Sequence, residues 1–251
     1  MGRSNSKTLK IRRRNNGKKN HMVPSIDSIP KELVSEVLAR VAAFSSTDFL
    51  SARLSCKVFN EVGEDNYVFH HVSLDKFPVI PWRASEEASS FLNKCRESGN
   101  PEALYRQGVV DYFSYMRLDS ALECLKKAAS SGHIGALYVL GIILLFHGDE
   151  FKQEGIQLLS GMKESKMSKR RVLKDCRENL KAIIRRIWIK NSIVLENRPV
   201  CCTMGDQHKK KEGWASETDE EDNYQYCQAC TCDREVASIC TMLPRSRVVF
   251  G

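Results

Sequence analysis

A six-residue pattern, Ala-Leu-Tyr-x-x-Gly, that occurs twice sets the strongest limit on what this chain can fold into. Ala103-Leu104-Tyr105-Arg106-Gln107-Gly108 returns as Ala136-Leu137-Tyr138-Val139-Leu140-Gly141, 33 residues later. Each copy is followed by a second helical pattern: Ala121-Leu122-Glu123-Cys124-Leu125 running to Gly132, and Gly155-Ile156-Gln157-Leu158-Leu159 running to the stretch 161–165. A period of this length with two helical segments per copy indicates a helix-turn-helix solenoid, whose units bury their apolar faces mainly against one another. Two copies are too few to stand alone, so neighbouring helices must close the ends. Val172, Cys176, Leu180, Ile183 and Ile187 recur at helical spacing just downstream and predict one such cap. Ala103, Gly108, Ala136 and Gly141 are read as small residues that let helices approach closely, and His133 as a turn residue, with no ligand contact assigned to any of them.

The flanking sequence is helical as well. Pro30 suits the first turn of a helix carried by Leu33, Val34, Val37, Leu38 and Val41. Ser45 with Asp48 three residues on predicts a capped second helix through Phe49, Leu50, Ala52 and Leu54. Cys56, Phe59 and Val62 predict a third, ended by Gly63. The stretch Phe77-Pro78-Val79-Ile80-Pro81-Trp82 is expected to be extended, because its two prolines restrict the backbone. It marks a linker over 76–84. Ser85 then caps a helix to about Glu97, stopped by Gly99, and Asn100-Pro101-Glu102 starts the next. The expected organisation is all-α: a basic disordered arm over 1–24, a three-helix module over 25–75, the linker, a repeat unit with its capping helix over 85–190, and a cysteine-rich, largely disordered tail over 191–251.

Charge and cysteine content narrow the function classes. Eight bases between Arg3 and Lys19, with no acid, account for the whole formal net charge of +8. Their clusters Arg12-Arg13-Arg14 and Lys18-Lys19 predict a nuclear-import signal, against a solvated or RNA-touching tail. Lys163–Lys190 carries eleven bases against three acids. These are expected on the solvated side of the capping helix rather than on a nucleic-acid surface, since no aromatic residue interleaves with them before Trp188. The start of the chain lacks the apolar run of a signal peptide, and the longest apolar run, Ile134–Phe146, spans 13 residues, too short for a bilayer. A soluble intracellular protein in nucleus and/or cytoplasm, with no membrane partner, is expected. Its ten cysteines then read as thiols or metal ligands rather than disulfides. No Gly-x-Ser-x-Gly, phosphate-cradling loop or His-Glu-x-x-His is present, so no catalytic residue and no cofactor are assigned. His70-His71 is read as a surface turn.

Two resemblances give these segments a family. Ile29-Pro30-x-Glu32-Leu33-Val34-x-x-Val37-Leu38-x-Arg40-Val41, followed by Asp48-Phe49-Leu50-x-Ala52-Arg53-Leu54-Ser55-Cys56-Lys57-x-Phe59, resembles an F-box. Ile29 stands where that family usually has Leu, and Phe59 where it often has Trp. The resemblance implies docking onto a Skp-type adaptor, and through it onto cullin and RING subunits, with Ile29, Pro30, Leu33, Val37, Leu50 and Phe59 as adaptor-binding residues. A module of this size cannot hide all of its apolar side chains, which agrees. Residues 100–165 resemble Sel-like, tetratricopeptide-related repeats, through Ala136–Gly141 and Lys127-Ala128-Ala129-Ser130-Ser131-Gly132-His133. The combination resembles plant F-box proteins and implies a substrate-recruiting, non-enzymatic subunit of a ubiquitin ligase. Two alternatives stay open: a metal-binding nuclear protein contacting nucleic acid, and a non-degradative interaction scaffold.

Some such relatives carry a C-terminal zinc module. Here Cys227-x2-Cys230-x-Cys232-x7-Cys240, with Cys201, Cys202 and His208 upstream, departs from that pattern. Zinc shared by Cys227, Cys230, Cys232 and Cys240 competes with free thiols. The expectation is a C-terminal fragment that holds less than one equivalent and stays mostly disordered, so no metal ligand is assigned.

Overall fold

The computed structural model describes residues 26–162, 169–196, 198–204 and 227–244, and every α- or β-type element among them is an α-helix. The expectations for the basic arm, for His208 and for much of the tail fall outside these residues. No helix among the described residues is long and apolar enough to cross a membrane.

The first module holds the three expected helices, α1 (Lys31–Phe44), α2 (Ser46–Ser55) and α3 (Lys57–Val62). Pro30 sits one position before α1, not inside its first turn, and its carbonyl accepts from Leu33 and Val34. Ser45 caps α2 as expected, its hydroxyl accepting from the Asp48 N–H at 3.2 Å. Gly63 ends α3 in ordinary right-handed geometry. Space explains glycine there, because a Cβ would lie 2.7 Å from the Phe59 carbonyl oxygen. A fourth helix, α4 (Asn66–His71), follows where a surface turn was expected. Asp65 caps it and also accepts from Ser35 of α1 at 3.0 Å, while Val68 and Phe69 fill the core beneath.

The proline-containing segment is not wholly extended, since Pro81–Arg83 makes one 3-10 turn. Nor does it separate the cores. Helix α5 (Glu86–Glu97), on its far side, contributes Phe91, Leu92 and Cys95 to the first core, and Phe77 stacks on Phe91 at 4.7 Å. Ile80, three residues on from Phe77, is buried in the second core.

The repeats appear as two helix pairs, α6 (Pro101–Phe113) with α7 (Leu118–Ser130) and α8 (Ile134–Phe146) with α9 (Asp149–Gly161). Their junctions repeat at the same 33-residue spacing: Gly99 and Gly132 both take a positive φ, and Asn100 and His133 cap the helices that follow. Gly108 and Gly141 are the close-approach positions, where a Cβ would lie 2.6 Å from Leu125 Cγ and 2.8 Å from Leu159 Cγ. Helix α8 is apolar on all sides and is buried accordingly.

Helix α10 (Lys169–Ile184) packs on α8 through Val172, Cys176, Leu180 and Ile183, with Ile187 buried just beyond it, as the capping stripe predicts. Arg171, Lys174, Arg185 and Arg186 face solvent. The chain then returns to the end of α6, where Asn191 donates to the Tyr112 carbonyl at 3.0 Å, and short α11 (Ser192–Glu196) follows. Within the stretch read as a tail, α12 (Gln228–Cys240) lies against α9 and α10 with Cys232, Val236 and Ile239 buried. Its few apolar residues cannot form a core alone, so they complete the core of the repeats. Buried Glu235 of α12 accepts from the Tyr138 hydroxyl of α8 and from Arg177 of α10, both at 2.8 Å. Burial raises its carboxyl pKa, against the opposing pull of those two partners.

Candidate functional site

Helix α1 has two apolar faces. Val34, Leu38 and Ala42 fill the first core, whereas Leu33 and Val37, one turn apart, are 58% and 55% exposed, and Phe44 at the end is 90% exposed. The period-3.6 pattern drawn from the sequence therefore spans both faces. Helix α2 divides in the same way, with Phe49 fully buried and Leu50 and Leu54 outside. Ile29 and Pro30 are exposed before α1, and Phe59 is half-buried against the first core. Of the six residues read as adaptor-binding, five thus stand in solvent and one helps hold the module together. Phe44 escaped the sequence reading, although it lies seven residues, two turns, after Val37.

An open groove of about 770 Å³ runs between the end of the first module, α6, the start of α8 and α10. Glu102, Tyr105, Arg106, His133, Asp175 and Arg186 are among its lining residues. His133 Nδ1 accepts from the Ala136 N–H at 3.0 Å, which leaves Nε2 to donate to Glu102 at 2.9 Å, and its ring stacks on Tyr105. Burial pushes the Glu102 carboxyl up, but the His133 hydrogen bond and the Arg106 charge outweigh it and hold the pKa below the usual value. The Tyr105 hydroxyl is buried there with no hydrogen-bond partner among the described residues. His70 and His71 do not form a pair of ligands. His70 Nδ1 meets the Ser98 carbonyl at 3.2 Å and His71 Nδ1 the Tyr67 carbonyl at 2.7 Å.

The structure regroups the cysteines. Cys227, Cys230, Cys232 and Cys240 do not converge, because ten residues of helix separate Cys230 from Cys240 by about 15 Å, and two residues turn Cys232 about 200° away from Cys230 into the core. Cys202 joins Cys227 and Cys230 instead, and the three sulfurs lie within 4.8 Å of one another. Cys227 caps α12, Cys230 lies in its first turn, and Asp233 one turn later accepts from the N–H groups of Cys201 at 2.6 Å and Cys202 at 3.0 Å. No disulfide joins any of the ten cysteines, all of which lie among the described residues.

Comparison with known proteins agrees with this architecture. A family model described as plant tetratrico peptide repeats matches residues 74–185, the stretch from the proline segment through α10. "Putative F-box protein At1g67623" of Arabidopsis thaliana is 30% identical over 227 residues, 90% of this chain and 68% of its own length. The chain belongs to the plant F-box proteins. "F-box protein At2g35280" of the same plant is 26% identical over half of this chain and 77% of its own length. "F-box protein At1g67340" is 29% identical over 55% of this chain, but the match spans 36% of that longer relative. No solved structure matches. In this F-box protein the quoted motif occupies α1 to α3, and the repeats occupy α6 to α9.

Proposed function

We propose that this F-box protein is a substrate-recruiting subunit of an SCF-type, cullin-RING ubiquitin ligase. The observation that carries the reading is the second apolar face of α1 and α2, where Leu33, Val37, Leu50 and Leu54 remain in solvent on a module whose core is already filled. A Skp-type adaptor would cover this face through Ile29, Pro30, Leu33, Val37 and Leu50, with the half-buried Phe59. Cullin and RING subunits would follow through the adaptor. The target would lie in the groove beside α6, where Glu102, Arg106, Asp175 and Arg186 place charges of both signs. The chain itself transfers nothing. Its contribution is proximity, which raises the effective concentration of a target near the charged ubiquitin carrier.

Truncating Leu33 to Ala removes three carbons from the docking face, about 2 kcal/mol at roughly 0.8 per methylene, or about thirtyfold in affinity. A Pro30→Ala, Leu33→Ala double variant should therefore no longer co-purify with the adaptor while melting like the parent chain. Unchanged co-purification would refute adaptor docking. The basic clusters of the arm support nuclear entry, and the test is a fluorescent fusion with and without residues 1–21. An equal nuclear fraction in the two would reject that part.

A further inference from the structure

We propose that Cys202, Cys227 and Cys230 bind one zinc ion, with a fourth position open to water or an incoming donor. The site is independent of adaptor docking, so neither stands or falls with the other. These are the one group of three metal-ligating side chains that converges among the described residues. Tetrahedral zinc holds thiolate sulfurs at about 2.3 Å, which sets them roughly 3.8 Å apart. Cys202 Sγ and Cys227 Sγ are 4.0 Å apart, so the cluster reaches this geometry with side-chain adjustment alone.

The scaffold around the sulfurs is built before any ion arrives. Cys227-x2-Cys230 spans the cap and first turn of a 13-residue helix, and this places two sulfurs on one side of its N-terminus. The third comes from a segment 25 residues earlier, fixed by the two carboxylate oxygens of Asp233. Asp233 thus orients the ligand strand through its backbone, the role outer-shell carboxylates fill at metal sites. All three cysteines are partly exposed, which leaves a side of the ion free for a fourth donor. The choice of metal follows from the donors, since three soft thiolates and a low coordination number suit zinc and not magnesium or calcium. Binding would release the three thiol protons to solvent and leave a complex of net charge −1 at the positive end of α12. Its effect would be a staple, tying residues 198–204 to the helix that completes the repeat core.

The experiment uses the full-length chain, purified with reduced thiols and dialysed. Elemental analysis should find about one zinc per chain, and X-ray absorption at the zinc edge three sulfur neighbours with one lighter atom. Cys202→Ser, Cys227→Ser and Cys230→Ser should each weaken zinc binding at least ~10-fold, and Asp233→Asn by about 10-fold. Cys240→Ser and Cys124→Ser should bind like the parent chain. Absence of stoichiometric zinc would overturn the proposal, as would loss of zinc in Cys240→Ser or a mass two hydrogens lower from a Cys202–Cys227 disulfide. If the serine variants fail to fold, the sulfur count on the unmodified chain decides: three supports the site, and any other number rejects it.

Discussion

Replacing Asn100 with Asp separates two jobs that one side chain performs. The Asn100 oxygen accepts from the Ala103 N–H at 3.1 Å and caps α6, while its amide nitrogen donates to the carbonyls of Phe69 at 3.0 Å and Val72 at 2.9 Å. The residue is 2% exposed, so no water stands ready to replace those bonds. Asp caps helices as well as Asn does, which makes the cap contribution to the change near zero. The two donated bonds are lost, at about 1 kcal/mol each, and a carboxylate then faces two carbonyl oxygens, for at least ~1 kcal/mol more. Asn100→Asp should therefore cost about 3 kcal/mol. Asn100→Ala should cost about as much, from the cap and the same two bonds. For a chain of this size either variant should melt ~6–12 °C lower, at ~2–4 °C per kcal/mol. The assay is thermal and urea unfolding followed by far-UV circular dichroism at neutral pH. Ser45→Ala, which removes the cap of α2, serves as the reference at about 1 kcal/mol. If Asn100→Asp stayed within ~0.5 kcal/mol of the parent while Asn100→Ala lost about 1, only the cap would matter and the link to α4 would carry no energy.

Alanine scanning of glycines should give opposite signs at two sites. Gly108→Ala drives a Cβ into Leu125 and should destabilise by ~1–3 kcal/mol, whereas Gly161→Ala meets nothing within 4 Å and should stabilise by ~0.4–1 kcal/mol, both read from urea midpoints. Equal signs would contradict the packing at the α6–α7 crossing. Glu102 has a lowered pKa, so its stabilising contribution is present above the unfolded value of about 4.3 and disappears as pH falls through the folded value. Glu102→Gln should consequently flatten the loss of stability on acidification below about pH 5, and an unchanged acid slope in a pH series of melts would refute this. Val37→Ala, on the exposed face of α1, should shift folding stability by less than ~0.5 kcal/mol, in contrast to Leu38→Ala at 2–5 kcal/mol, roughly, by calorimetry. Comparable losses would place Val37 in the core.

The repeats were legible because their signals are local. A cap, a small residue at the crossing and a glycine at the junction recur within 33 residues, and each acts on its immediate neighbours. The helices of the F-box motif were legible for the same reason. Helix α4 was not, since six residues with Val68 and Phe69 inside carry too little periodicity to register. The C-terminal helix failed for a different cause. Its docking partner Tyr138 lies 97 residues before Glu235, and no spacing rule inside 227–244 reports that contact. Spacing alone groups Cys232 with Cys227 and Cys230, although residues two apart stand on opposite sides of a helix. Cys202 entered the cluster through Asp233, whose hydrogen bonds to a distant segment leave no trace in local pattern.

The junction at Asn100 turns the chain into a bracket rather than a pair of beads on a string. Helix α5 belongs to the first core, Ile80 to the second, and Asn100 pins the start of α6 to the end of α4, so a rotation of α1 carries α6 with it. Whatever rests in the groove is then pointed, not merely tethered. Lengthening the proline segment would distort the bracket without giving it more reach, and an adaptor docked on α1 and α2, as proposed, would face the groove along one bearing.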